Sequence, residues 1–181
     1  MAQEIETKVL DIHKDHIISK LKDLGAKEKG ARTKLTVDWF RKIGITEGQD
    51  PWYLRIRSYD DNKHEVTWKA KSVIEGNIRK HKEINFMIEE PKQLKDLFEE
   101  IELENYAHQE KYRTSFTLKD WQFDIDEYPG MPAFIEIEGQ SEEHINEAME
   151  LLDIKDNKTW TDGERTLVQD VYGLDWYKMK F

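Results

Sequence analysis

The sequence predicts an α+β protein built on an antiparallel sheet of eight strands. Three observations predict it. Eight segments of strand composition recur along the chain, bounded by turn residues. Most are joined by short connections of the hairpin kind. Segments with 3.6-residue apolar spacing punctuate the series and supply helices to cover one face of the sheet. An open sheet and a closed one both accommodate this pattern.

The elements follow in order. Residues 2–10 alternate apolar and polar side chains and form the first strand. Residues 28–40 form the second, ending in alternating β-formers, and 41–51 are a loop. WYLRIRSY at 52–59 is the third strand; the turn DDNK at 60–63 returns the chain into HEVTWKAK at 64–71, the fourth. Residues 79–89 are the fifth, 111–119 the sixth, 121–128 the seventh before PGMP, and 133–139 the eighth. Ile17, Leu21 and Leu24 share a helix face that stops at Gly25. Pro91 opens a second helix with Leu94, Leu97, Phe98 and Ile101 on one side. Ser141 caps a third, with Glu142 and Glu143 in its first turn and Ile145, Ala148, Met149 and Leu152 following. A last helix near 163–172 ends at Gly173.

The composition sets bounds. A chain of 181 residues with 38% hydrophobic residues, six Trp, seven Tyr and seven Phe can bury a core despite being 36% charged. One domain is expected over 1–181, with a core at 1–152 and a C-terminal helical segment at 153–181. The absence of Cys excludes disulfides and thiolate metal sites. A net charge of −10 argues against broad binding to a nucleic acid polymer. The N-terminus lacks the pattern of a signal peptide, and no apolar stretch approaches a membrane span, so a cytoplasmic protein without membrane partners is expected.

The polar faces of the strands carry the functional signal. Glu4, Glu6 and Lys8 share one face, opposite Ile5, Thr7 and Val9. The same alternation gives Arg55 with Arg57, Lys69 with Lys71, Lys111 with Arg113, Asp124 with Asp126, and Glu136 with Glu138. Arg79, His81 and Glu83 share a parity opposite Ile84 and Phe86. One such strand is an ordinary solvated face with weak cross-strand ion pairs. Several together, sorted by sign into paired bases and paired acids, are not. If the sheet closes, helices cover the apolar set from outside and the charged set lines the interior. Its bases suit a polyanion, and its carboxylates suit a hard divalent cation.

The ordered motifs Glu4-x-Glu6-x-Lys8, Arg55-x-Arg57, Lys69-x-Lys71, Lys111-x-Arg113 and Glu136-x-Glu138 resemble the signature of the CYTH superfamily, the triphosphate tunnel metalloenzymes. The resemblance spans residues 4–138. It implies a closed eight-stranded antiparallel β-barrel, a triphosphate tunnel, with helices packed outside. It implies that Lys8, Arg55, Arg57, Lys69, Lys71, Arg79, Lys111 and Arg113 hold the phosphates of a small-molecule triphosphate or nucleotide. Glu4, Glu6, Glu136 and Glu138 would bind Mg²⁺ or Mn²⁺. Lys8, Glu83 and Asp124 would be the catalytic set, the two acids serving as second metal ligand or water orienter, while Asp126 is a structural residue. Asn85 stands where many members carry Glu, which removes a carboxylate. The activity implied is metal-dependent hydrolysis of a triphosphate; a class IV adenylate cyclase and a non-catalytic polyphosphate sensor are the alternatives. The family also makes a homodimer plausible.

Other features read more plainly. His13 and His16 lie on an exposed polar helix face. No Gly-rich phosphate loop occurs. The aromatic C-terminus, YGLDWYKMKF, packs against one tunnel end.

Overall fold

The computed structural model describes residues 3–46, 48–60 and 62–181. Its strands are β1 (Gln3–Val9), β2 (Lys27–Glu28), β3 (Thr33–Lys42), β4 (Trp52–Tyr59), β5 (His64–Ala70), β6 (Val73–Glu75), β7 (Ile78–Ile88), β8 (Leu103–Leu118), β9 (Trp121–Glu127), β10 (Phe134–Glu138) and β11 (Thr159–Trp160). Its helices are α1 (Lys14–Asp23), α2 (Pro91–Glu100), α3 (Glu142–Leu151) and the short α4 (Glu164–Thr166).

Eight of these strands close into an antiparallel barrel in the order β1, β10, β9, β8, β3, β4, β5, β7. Closure is made by β1, whose first half pairs with β7 (Glu4 opposite His81, Glu6 opposite Arg79) while its other edge pairs with β10 (Glu6 opposite Glu138, Lys8 opposite Glu136). The short strands β2, β6 and β11 are appended to β8, β7 and β1. The eight-stranded expectation therefore holds for the barrel.

Three element boundaries differ from the expectation, each for a local reason. The strand expected over 28–40 is divided into β2 and β3, because Gly30 adopts φ 82° between them. The sixth strand begins at Leu103 rather than 111, because residues 103–110 pair with the C-terminal half of β3. The last helix is one turn of α-helix followed by a π-turn, Leu167–Val171, before Gly173 at φ 66°. Ala2, Glu47 and Asp61, in the expected first strand, loop and turn, lie outside the described residues.

Two of the three apolar clusters lie outside the barrel, and the third fills one end of its interior. α1 and α3 bring Ile17, Leu21, Ile145 and Met149 onto Phe116, Phe123, Ile125, Ile135 and Ile137. α2 packs Phe98 against Phe40, Leu54, Ile56 and Val66. The chain after α3 closes one end of the barrel, where Leu167, Val168, Trp176 and Met179 pack on Val37, Trp39, Ala107 and Phe134 of the inward face, Val37 in register with Arg57 and Trp39 with Arg55. Each helix stops or starts where its sequence says: Gly25 at φ 79° follows α1, Pro91 opens α2, and the Ser141 hydroxyl accepts from the His144 N–H at 3.2 Å. Because helices claim the apolar faces, the period of two turns the charged faces inward.

Candidate active site

The barrel encloses a cavity of about 440 Å³. Of the residues expected to bind phosphate or metal or to act in catalysis, Glu4, Glu6, Lys8, Arg55, Arg57, Lys69, Arg79, Glu83, Arg113, Asp124, Glu136 and Glu138 line it. Two do not. Lys71 follows the end of β5 at Ala70 and is exposed, so the strand that was to aim it inward has already stopped. Lys111 shares the inward face of Arg113 but is only 1% exposed and is buried beneath the cavity, where its Nζ donates to Asp126 at 2.8 Å and to Glu164 at 3.1 Å. Both of its partners are carboxylates of the protein itself.

The carboxylates gather where β1, β10 and β7 meet. Glu6 and Glu138 are register partners, and Glu4 faces His81 across the neighbouring pair. Burial, with the charges of Glu4, Glu6, Glu136 and Asp124 around it, pushes the Glu138 carboxyl up to about 7. Glu138 makes no ion pair among the described residues. This is unmet negative charge on oxygen donors drawn from adjacent strands, a donor set that fits a hard divalent cation. Glu136 differs: burial alone would raise its pKa, but Lys8 at 3.0 Å and Arg113 at 3.6 Å hold it well below the usual carboxylate range.

Beside this group, Lys69 donates to Glu4 at 2.9 Å and approaches Glu83 at 2.5 Å. The His81 Nε2 meets Glu4 and lies 3.4 Å from Glu83. Burial opposes protonation of His81, but those two carboxylates outweigh it and raise its pKa. Glu83 is held below its ordinary range for the converse reason: its burial is outweighed by the bond to His81 and the ammonium of Lys69. Ligand atoms of Glu4, His81 and Glu83 all fall within 4.8 Å of one another. Asn85 donates to Glu83 at 2.5 Å.

The bases divide into those fully paired and those paired weakly or not at all. Lys8 loses by burial but gains more from Glu136 and Glu6, so its pKa rises and it is a permanent cation. Arg113 is claimed by a fork to Asp126, with both bonds at 2.6 Å, and by Asp124 at 2.6 Å. Asp126, 0% exposed, thus holds Lys111 and Arg113 in place. Arg55 and Arg57 stand apart. Both are buried, and neither Nε has a hydrogen-bond partner among the described residues. Arg57 reaches Tyr59 and Glu65 only at 3.3 Å. Arg55 makes no ion pair among the described residues; its guanidinium lies 5.5 Å from the Trp39 ring centroid. Burial and the adjacent Arg57 push the Arg55 pKa down.

Several lining residues escaped the reading of the sequence. Glu65 and Tyr59 follow the same alternation as Lys69 and Arg57 and were legible from it. Glu164 was not: it lies on α4, accepts from the Tyr128 hydroxyl at 2.6 Å, and is brought to the cavity by the chain's return over the barrel. That return also places Trp176 and Tyr177 on the lining, so the aromatic C-terminus packs at one tunnel end, as expected.

The sequence model of the CYTH domain matches residues 2–159. The chain belongs to the CYTH domain family. Within it, this CYTH domain is 28% identical over 151 residues to a Methanocaldococcus jannaschii protein provisionally named an adenylate cyclase, covering 83% of each chain. Its fold matches that of a Vibrio parahaemolyticus protein with the same provisional name at a TM-score of 0.74 and 13% identity, covering 92% of this chain and 99% of that one. A Hippeastrum protein, provisionally an adenylyl cyclase and reported to have a dominant triphosphatase activity, matches at 0.67 with 17% identity over 98% and 100% of the two chains. At these identities the solved structures share the CYTH fold. None of the helices described is long and apolar enough to cross a membrane.

Proposed function

We propose that this CYTH domain is an enzyme that hydrolyses a triphosphate bound in its tunnel, with a divalent cation as cofactor. The observation that carries the reading is the separation of unmet charge inside one cavity. Among the described residues the buried Nε–H groups of Arg55 and Arg57 have no partner and Arg55 has no ion pair, while Glu138 is crowded by other carboxylates. A structural ion-pair network would have paired these groups with each other. A polyanion accompanied by a divalent cation satisfies both ends at once.

In this reading Arg55 and Arg57 grip phosphoryl oxygens through charge-assisted hydrogen bonds. Lys8, always charged, adds a fixed positive field beside them and is no proton acceptor. Glu6 and Glu138, with Glu4, would hold Mg²⁺ or Mn²⁺. Such an ion, when bound, neutralises phosphoryl charge and acidifies coordinated water. Glu83 is too well stabilised as a carboxylate to be a strong base; held by Lys69, His81 and Asn85, it orients what lies next to it. Catalysis then rests on positioning and electrostatic stabilisation, as in other phosphoryl transfers.

The name adenylate cyclase on the archaeal relative supports a second reading, in which ATP is cyclised with release of pyrophosphate. Product analysis separates the two. The purified protein is incubated with ATP and with inorganic triphosphate in Mg²⁺ or Mn²⁺. Orthophosphate from either substrate is the expected result; cyclic AMP with pyrophosphate assigns the cyclase, and no turnover with tight binding assigns a sensor.

A further inference from the structure

We propose that Glu164 is a specificity-determining residue, an anionic stop at the plugged end of the tunnel that sets how far a phosphate chain can enter. The inference rests on the reading that phosphates bind among the tunnel's bases, and it adds where the chain must end. Glu164 lies beyond residue 159, where the match to the family's sequence model ends. It stands on α4, in the chain that closes one end of the barrel, and it lines the cavity. Two buried side chains fix its carboxylate. The Tyr128 hydroxyl donates to Oε2 at 2.6 Å, and the Lys111 Nζ donates to Oε1 at 3.1 Å. Burial and the charge of Glu136 oppose ionisation of Glu164. Lys111, Lys8 and the Tyr128 hydroxyl outweigh them and hold the carboxyl well below its ordinary range. The group is a fixed negative charge.

Its position makes that charge selective. Lys8 and Arg55, two of the bases that would grip phosphoryl oxygens, both feel it. The charges that weigh most on Glu138 are instead Glu4, Glu6, Glu136 and Asp124, so Glu164 stands apart from the carboxylates suited to a cation. Asp124, Asp126 and Glu164 outnumber Lys111 and Arg113, the two cations they bind. In a tunnel lined by bases alone, each added phosphoryl group would bring further charge-assisted bonds and tighten binding. Here a phosphoryl group that advances toward the plug meets a carboxylate in place of a free Lys111 ammonium. Like charges repel strongly where water is scarce, and discrimination of this kind comes from a repulsive element rather than a new attractive one.

Calorimetric titration with inorganic triphosphate and inorganic tetraphosphate in Mg²⁺ tests this. Binding is measured, so the result is independent of whether the bound chain is hydrolysed. The wild type is expected to bind tetraphosphate no more than about threefold more tightly than triphosphate, because the fourth phosphoryl group finds no new partner. Glu164→Gln keeps an oxygen for the Tyr128 hydroxyl and removes the charge. It should bind tetraphosphate more tightly than triphosphate by about tenfold or more, the worth of a close charge pair. Glu164→Asp keeps the charge and should keep the wild-type ratio, which a purely structural role would not require. A wild type that already favours tetraphosphate by about tenfold overturns the proposal with no variant needed. So does a Glu164→Gln ratio equal to that of wild type, or a Glu164→Asp ratio like that of Glu164→Gln. A wild type that binds neither anion removes the tunnel reading, and this inference with it.

Discussion

Replacing Glu138 with Gln should stabilise the metal-free protein above neutral pH. In the folded chain the Glu138 carboxyl is raised from 4.5 to about 7, by burial first and then by Glu4, Glu6, Glu136 and Asp124. The unfolded chain ionises this group near its ordinary value. Between the two values the folded state holds a proton that the unfolded state has lost. Stability from this site therefore falls as pH rises and is lost above about 7. The difference of about 2.5 pH units (7 − 4.5) caps the effect near 3.4 kcal/mol. Water in the tunnel screens a half-buried group, and roughly half of that, about 1.5 kcal/mol, is the reasonable expectation. For a chain of this length it corresponds to a rise in Tm of about 3–6 °C. The assay is thermal and urea unfolding of both proteins in EDTA from pH 5 to 8, repeated with Mg²⁺ or Mn²⁺. Glu138→Gln should be the more stable at pH 8 and lose most of that lead by pH 5. The wild type alone should regain stability with the cation, because a ligand of the folded state stabilises it. A variant no more stable than wild type at pH 8 in EDTA would refute the account of crowded charge.

Further outcomes follow from the same network. Arg55→Met removes a buried cation with no ion-pair partner among the described residues. The empty protein should be as stable as wild type or more so, while calorimetry shows triphosphate affinity weaker by about 1.5–3 kcal/mol. Lys111→Met strands Asp126 and Glu164, and urea unfolding should show a loss of about 3 kcal/mol, the lower end for a broken buried pair because Arg113 still holds Asp126. Lys71→Ala, at an exposed position outside the cavity, should change stability by less than about 0.5 kcal/mol and leave triphosphate turnover near wild type. Glu136→Gln combined with Glu138→Gln should abolish metal-dependent turnover while the circular dichroism spectrum is kept; full activity that ignores EDTA would refute the metal assignment.

The barrel and the direction of its charged faces were legible because a strand has a period of two. Once a helix-covered face is apolar, its alternate residues must face the other way, and Arg55, Arg57, Lys69, Glu136 and Glu138 obey this. The rule fails where a strand ends. Lys71 has the right parity but lies one residue past β5, and strand ends depend on which neighbour is available to pair. Strand extension at Leu103 was hidden for the same reason: nothing in LENYAHQE shows that the end of β3 waits beside it.

By itself, then, the sequence determined the strand count of the barrel, the inward direction of its charged pairs, and the family, because these depend on local alternation and on ordered motifs. Only the tertiary structure decided which charges cancel. Arg113 and Arg57 are alike in sequence context, each the second base of a pair two residues apart. Yet Asp126 meets Arg113 across the β8–β9 hairpin, while among the described residues nothing bonds the Arg57 Nε. Glu164 reaches Lys111 from 53 residues away. Coulomb energy depends on distance in space and on burial, and neither is written along the chain.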